Sequence, residues 1–277
     1  MAVNHLDQFI SQYDSLETQR AYRRDITVFF EFAKKDPKDI TRFDAILYLN
    51  HLKKKFSSSS ISRMVSSLKS YMKFLMFMDM VIKNPFEGMK LPRINKKEEE
   101  GITDAEIKRI RKFFRTNKEK AIIYLMLYNG LRRSEICDLN YGDIKNDTIE
   151  IRGKGDKTRV RPLHKLCISA IVGYLMDENR TKGKSDEHIF RRKDGKRLDP
   201  ERVYSTVKTL CRRAKIKRRL HPHQFRAKFA SLALESGVPI TTVQEDLGHS
   251  SIETTAIYDH SKRMLERSSV HKIEEIK

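Results

Sequence analysis

Apolar side chains recur every three to four residues along the first third of the chain, which is the spacing of helices that bury one face. The pattern predicts a helix over residues 15–35, a second behind Thr41, which can cap it, and a third over about residues 61–78. The third helix is expected to end near Asn84-Pro85, because the residue before a proline avoids helical backbone angles. Residues 1–87 are therefore predicted to form a small helical bundle.

The helical periodicity stops over residues 88–101, which contain Pro92 and a run of charged residues, so we predict a linker there. Thr103, followed three residues later by Glu106, has the spacing of a capping box and marks where helices resume. Apolar and polar residues then alternate in two segments, which predicts a β-hairpin over 148–152 and 158–163. Helical patterns follow over about 166–178, 200–214 and 222–236.

These elements predict a mainly α-helical fold with a small antiparallel β-sheet. We expect a helical N-terminal domain over residues 1–87 and an α+β domain over 102–277, joined by the linker. The last part of the second domain, from about residue 261, is expected to be a C-terminal tail.

Composition adds a strong positive charge. The 277 residues include 57 Lys and Arg against 37 Asp and Glu, a formal net charge of +20, much of it between Arg191 and Arg219. Such a field points to a polyanionic partner. The longest apolar run, from Ala121 to Tyr128, is too short to span a membrane, and the N-terminus lacks a secretory signal pattern, so we expect a cytoplasmic protein. The three cysteines lie far apart, which favours buried thiols over disulfides or a zinc site.

Four short motifs and one tyrosine carry the candidate chemistry. Pro222 suits the first position of a helix, which places His223 and Arg226 on one face of its first turn, where a phosphate is attracted. Each motif alone has an ordinary alternative, such as surface arginines or a histidine or tyrosine packed in a core. In chain order the set is Gly130-Leu131-Arg132-Arg133-Ser134-Glu135, Gly153-Lys154-Gly155, His221-Pro222-His223-Gln224-Phe225-Arg226, Leu247-Gly248-His249 and Tyr258.

The order and spacing of this set resemble the tyrosine recombinases, the lambda-integrase and Xer class of site-specific DNA recombinases. The resemblance covers residues 102–260, and the N-terminal helices resemble the core-binding domain of that family. Two positions depart from the usual His-x-Leu-Arg-His pattern, since Phe225 replaces the leucine and Ala227 replaces the second histidine. The second change is expected to alter packing more than chemistry.

The resemblance implies a role for each site residue. Tyr258 would be the nucleophile that forms a 3′-phosphotyrosyl link with DNA, and Arg132 and Arg226 would bind the oxygens of the attacked phosphate. His223 would be the candidate base, Lys154 the general acid and His249 a hydrogen-bond donor to the phosphate. Glu135 is expected to orient the arginines. No metal or nucleotide motif is present in the sequence, and we expect no cofactor.

The resemblance also implies partners. The expected partner is double-stranded DNA with a specific recombination site, on which a homotetramer would join two duplexes. Strand exchange would pass through a Holliday junction. The favoured role is Xer-type resolution of chromosome or plasmid multimers. The alternatives are an integrase of a mobile element, a type IB topoisomerase-like enzyme and a DNA-binding accessory protein without catalysis. A recombinase of this class would be associated with the nucleoid. In the helical domain, Arg63, Lys69 and Lys73 are candidate DNA contacts, although solvent-exposed lysines are an equal alternative.

Overall fold

The structure, a computed structural model, describes residues 2–93, 101–153 and 158–248. Contacts between Cα atoms divide the chain into two compact units, Met1–Glu99 and Glu100–Lys277. Lys154, His249, Tyr258 and the predicted C-terminal tail lie outside the described residues.

Side-chain caps begin three of the helices of the first unit. The Thr41 hydroxyl accepts the N–H of Asp44 while the Asp44 carboxylate accepts the N–H of Thr41, so the predicted cap is a complete capping box. Ser57 accepts the N–H of Ser60 and begins the next helix earlier than predicted. A short helix at the N-terminus was not predicted. The helices are α1 (Ala2–Ser11), α2 (Leu16–Ala33), α3 (Arg42–Lys53) and α4 (Ser58–Phe77).

Aromatic rings fill the core of the first unit. Phe29 packs edge to face against Tyr48 and Phe86, with ring centroids 5.0 and 5.2 Å apart. This geometry adds a directional attraction to the burial of the rings. Met89 and Leu91, which fall within the predicted linker, are partly buried against the same core. The chain therefore stays packed on the first unit through the start of that segment.

The second unit combines helices with one small sheet. The sheet has the order β1-β2-β3 with antiparallel pairs, and Ile151 of β2 lies opposite Arg159 of β3. The prediction of a mainly helical protein with a small antiparallel sheet is confirmed. The elements are α5 (Asp104–Lys112), α6 (Asn117–Tyr128), α7 (Arg133–Asp138), β1 (Ile144–Lys145), β2 (Thr148–Arg152), β3 (Thr158–Pro162), α8 (Lys165–Asp177), α9 (Pro200–Arg213), α10 (Pro222–Glu235) and α11 (Ile240–Leu247).

Helix α6 lies at the centre of the second unit. Every residue from Ala121 to Leu127 is buried, which explains why its sequence is a continuous apolar run instead of an amphipathic stripe. It packs against α8 and α10. Because α6 ends at Tyr128, just before the Gly130–Glu135 motif, the central helix determines where this motif meets α10.

The cysteines and the apolar segments complete the description of the core. Cys137, Cys167 and Cys211 are free and buried, and burial raises the pKa of the first two thiols to about 12 and of the third to about 11. Within the described ranges, no helix has both the length and the apolar character that crossing a membrane requires.

Candidate active site

A glycine turn places Arg132 at the start of α7. Gly130 has a φ of +61°, and a Cβ at this position would lie only 2.6 Å from the Cδ1 atom of Phe229 and 3.0 Å from the Cδ2 atom of Leu247. A side chain here would therefore be both strained and obstructed. The turn brings Arg132 to the N-cap position of α7, with Glu135 at the end of the first turn.

The start of α10 supplies the other side of the site. Pro222 occupies the first turn, as predicted, and the N–H of His221 donates to the Gln224 Oε1 atom at 2.8 Å. His223 is exposed, whereas Arg226, one turn further on, is 2% exposed. The two side chains therefore lie at different depths of the same helix face.

Arg132, His223 and Arg226 line one cleft of about 390 Å³. Ser134, Tyr204 and His221 also line it. Arg219 donates to the Tyr204 hydroxyl from Nε at 3.1 Å and from Nη2 at 2.7 Å, which holds this ring in the wall of the cleft. The space is large enough for a phosphate group and its neighbours on a backbone.

Glu135 gathers three guanidinium groups at the base of this cleft. Its Oε1 atom accepts from Arg132 Nη1 at 2.6 Å, and its Oε2 atom accepts the Arg132 backbone N–H at 2.7 Å. Oε2 also accepts from Arg159 Nη2 at 3.0 Å, and Arg226 Nη1 stands 3.6 Å away. The arrangement fits the orienting role expected of Glu135.

The charge state of Glu135 follows from these contacts. Burial acts to raise its pKa, but the hydrogen bond and charge of Arg159, the backbone N–H of Arg132 and the charge of Arg226 outweigh burial, so the pKa lies below its ordinary value. Glu135 is therefore a carboxylate at neutral pH. Together, one negative and three positive side chains leave the cluster with an excess of positive charge, which suits an anionic ligand.

Main-chain carbonyls hold the arginines from the other side. Arg226 donates from Nη1 to the carbonyl of Gly130 and from Nη2 to the carbonyl of Leu247. Arg132 Nη2 donates to the carbonyl of Gly248 at 3.0 Å. Three segments far apart in sequence, the Gly130 turn, the start of α10 and the end of α11, thus meet at the two guanidiniums.

The structure brings together the predicted site residues that it describes, which are Arg132, His223 and Arg226. Lys154, His249 and Tyr258 are outside the described residues, although Gly248 directly precedes His249. Arg159 is a member of the cluster that the sequence motifs missed. On a strand of alternating residues it has no spacing that distinguishes it from neighbouring Arg161.

Comparisons with known proteins agree with this fold. The family described as "Phage integrase, N-terminal SAM-like domain" matches residues 5–77, and the Phage integrase family matches residues 100–264. A tyrosine recombinase of Thermosipho africanus (strain TCF52B) is 34% identical over 259 residues, covering 89% of both chains. Tyrosine recombinase XerD of Chlamydia trachomatis serovar D is 31% identical over 264 residues, covering 90% of this chain and 87% of that protein.

A solved structure has the same fold. The XerH site-specific recombinase, bound to a palindromic difH substrate after cleavage, superposes with a TM-score of 0.75 over 94% of this chain and 81% of that one, at 21% identity. The chain belongs to the phage integrase family. It is a Xer-like site-specific tyrosine recombinase, and therefore an enzyme that transfers DNA strands, as the sequence predicted.

Proposed function

We propose that this recombinase cleaves and rejoins DNA through Tyr258, with Arg132 and Arg226 binding the non-bridging oxygens of the attacked phosphate. The observation that carries the proposal is the convergence of both arginines and His223 on one cleft, above a shared carboxylate. Negative charge on those oxygens grows in the transition state, and fixed guanidiniums stabilise it without having to reorganise.

The two proton transfers fall to the remaining members of the set. A phenol has an ordinary pKa of about 10, so Tyr258 must lose its proton as it attacks, and His223 is the base for that step. Lys154 protonates the departing 5′-oxygen, and His249 donates a hydrogen bond to the phosphate. The exposed position of His223 in the cleft, one turn before buried Arg226, supports this division of roles.

The bond changes balance without a cofactor. The Tyr258 oxygen forms a bond to phosphorus while the bond from phosphorus to the 5′-oxygen breaks, and the proton given up by the phenol is matched by the one given to the leaving group. The 3′-phosphotyrosyl link keeps the energy of the broken bond, so a 5′-hydroxyl of a partner strand can reverse the step. We therefore expect full activity in the presence of a chelator.

For assembly, we propose a homotetramer on two duplexes with a specific recombination site, exchanging strands through a Holliday junction. The helical domain over residues 1–87 and the catalytic domain over 102–277 would both contact DNA, with 88–101 between them. Similarity to proteins named XerC and XerD supports resolution of chromosome or plasmid multimers, on the nucleoid in the cytoplasm, as the role. The tail from about residue 261 would dock into a neighbouring subunit.

The test has two stages. DNA trapped covalently on the wild-type enzyme in cells is sequenced to obtain the site, and a nicked suicide duplex is built from it. The wild type should form a covalent complex with this duplex, with or without chelator, and Tyr258→Phe should form none. Joining of strands from two duplexes distinguishes a recombinase from a topoisomerase-like enzyme. Trapping that survives Tyr258→Phe would overturn the proposal.

A further inference from the structure

Arg159 contacts two parts of the active-site cluster at once. It lies on β3 opposite Ile151, and its side chain is 12% exposed. Its Nη2 atom donates to the Oε2 atom of Glu135 at 3.0 Å, and its Nε atom donates to the carbonyl of Asp246, near the end of α11, at 3.2 Å. One planar group thus connects the sheet, α7 and α11.

The end of α11 is shaped to accept this guanidinium. Gly248 ends the helix with a φ of +59°, and a Cβ there would lie 3.1 Å from the Nη1 atom of Arg159. A side chain at position 248 would therefore be strained and would crowd Arg159. Because the carbonyl of Gly248 accepts from Arg132, the segment that Arg159 holds is the one that positions a proposed catalytic arginine.

The distances around Glu135 show what Arg159 prevents. The Oε2 atom already accepts from the Arg132 backbone and from Arg159, and Arg226 Nη1 stands at 3.6 Å, beyond normal hydrogen-bond length. Without Arg159, the Oε2 atom would lose one of its two hydrogen-bond donors. The Arg226 guanidinium, whose Nη1 atom stands 3.6 Å away, could then move towards Oε2 and replace that donor. That movement would draw Arg226 away from the carbonyls of Gly130 and Leu247.

We propose that Arg159 is a positioning residue of the strand-transfer reaction, which keeps Arg226 and Arg132 in one arrangement by occupying the Oε2 atom of Glu135 and fixing the end of α11. The inference rests on the proposed function, because it assumes that these two arginines bind the attacked phosphate. A displacement of about 1 Å of a reacting or binding group can slow catalysis about 10²-fold, so the effect should appear in the chemical step.

The test measures single-turnover cleavage of the suicide duplex at saturating enzyme, together with DNA affinity and melting temperature. Arg159→Leu should slow cleavage about 10²-fold while DNA affinity changes less than about threefold. Arg159→Lys should recover about tenfold, since an ammonium keeps the charge near Glu135 but lacks the fork that also reaches the Asp246 carbonyl. A group that merely supports the fold would lower stability without this separation of rate from affinity.

A matched control separates the cluster from the general loss of an ion pair. Arg213, on α9, has a side chain that is 24% exposed and is 2.7 Å from the Glu119 carboxylate. Arg213→Leu should leave the cleavage rate within about threefold of the wild type. Equal slowing by Arg213→Leu and Arg159→Leu would assign the effect to folding and overturn the proposal.

A double-variant cycle tests the route through Glu135. In the Glu135→Gln background, adding Arg159→Leu should slow cleavage by about tenfold or less, because the negative charge that Arg159 neutralises is already gone and mainly its contact with the Asp246 carbonyl remains to be lost. Independent effects that multiply would contradict the proposal. If the wild type forms no covalent complex at all, the proposed function fails. If both Arg159 variants cleave as fast as the wild type, only the role proposed for Arg159 fails.

Discussion

Each unit of the protein buries one carboxylate among arginines, and the two clusters differ in where the positive charge lies. In the first unit, Asp25 has a fully buried side chain, and it accepts from Arg63, from Arg24 at 3.4 Å and from the Ser67 hydroxyl at 3.0 Å. The Arg63 and Arg24 side chains are 43% and 65% exposed. Water therefore screens the charge that remains after Asp25 is paired.

In the second unit two of the three guanidiniums are themselves withdrawn from water. The side chains of Arg226 and Arg159 are 3% and 12% exposed, and that of Arg132, which lines the cleft together with Arg226, is 38% exposed. A buried excess of positive charge is costly until an anion approaches it. A cluster of arginines around a carboxylate is therefore suited to bind an anion when its surplus charge is sheltered from water, and is a structural contact when that charge is solvated.

The contrast bears on the candidate DNA contacts of the helical domain. Arg63 is held by Asp25, and Lys69 Nζ lies 2.7 Å from the Glu87 carboxylate, whereas Lys73 is exposed. Both paired side chains keep almost half of their surface in solvent. They therefore remain candidates for contacts with a DNA backbone, which solvated charges can make.

The largest expected effect is on the cleavage rate, and it comes from a change at Arg226 in the cluster of the second unit. Arg226→Lys should slow single-turnover cleavage about 10³-fold, because lysine keeps the charge but cannot bridge the Gly130 and Leu247 carbonyls while facing a phosphate. Accumulation of the covalent complex on the suicide duplex measures the rate. Arg213→Lys, which alters an arginine–glutamate pair elsewhere in the second unit, serves as the control and should stay within about threefold. Comparable losses in both variants would mean that burial of the Arg226 charge has no special role.

An intermediate effect, on stability alone, is expected at Asp25. Asp25→Asn should lower the free energy of unfolding by about 1.5 kcal/mol, because a neutral amide accepts weaker hydrogen bonds from Arg63 and the Ser67 hydroxyl than the buried carboxylate does. Urea unfolding followed by circular dichroism measures the change, and cleavage by the folded enzyme at saturation should not change. Asp7→Asn, which alters a pair with Arg23 that is 50% exposed on both sides, should cost less than about 0.5 kcal/mol. A slower chemical step in Asp25→Asn would show that Asp25, like Glu135, affects catalysis, and would contradict a purely structural role.

The smallest effect concerns binding of a simple anion. Inorganic phosphate at 50 mM should raise the free energy of unfolding by about 1 kcal/mol over chloride of equal ionic strength, for an affinity of about 10 mM. Thermal unfolding measures the increment, which Arg132→Ala should remove and Asp25→Asn should retain. Phosphate stabilisation that persists in Arg132→Ala would place the anion elsewhere and weaken the comparison.

Local signals in the sequence were sufficient for most elements. The capping residues Thr41 and Thr103 begin helices as predicted, because their hydroxyls satisfy N–H groups within three residues. Pro222 begins α10 for an equally local reason. Helix α1 escaped prediction although Leu6, Phe9 and Ile10 have helical spacing, because ten residues form only a marginal helix by themselves and its stability comes from packing Phe9 and Ile10 into the core.

In the active site, too, local patterns predicted some features, and contacts between distant segments decided the others. Motif order and spacing were enough to identify the family and to name Arg132, His223 and Arg226 as partners, since these motifs carry the residue types that phosphate chemistry needs. That Arg226 is nearly buried, that Glu135 holds three guanidiniums and that Arg159 is one of them depended on segments more than twenty, and in places more than one hundred, residues apart coming into contact. Hydrogen bonds and charge act through space at a few ångströms, so chain folding, and no pattern along the chain, determines which of many arginines share a carboxylate.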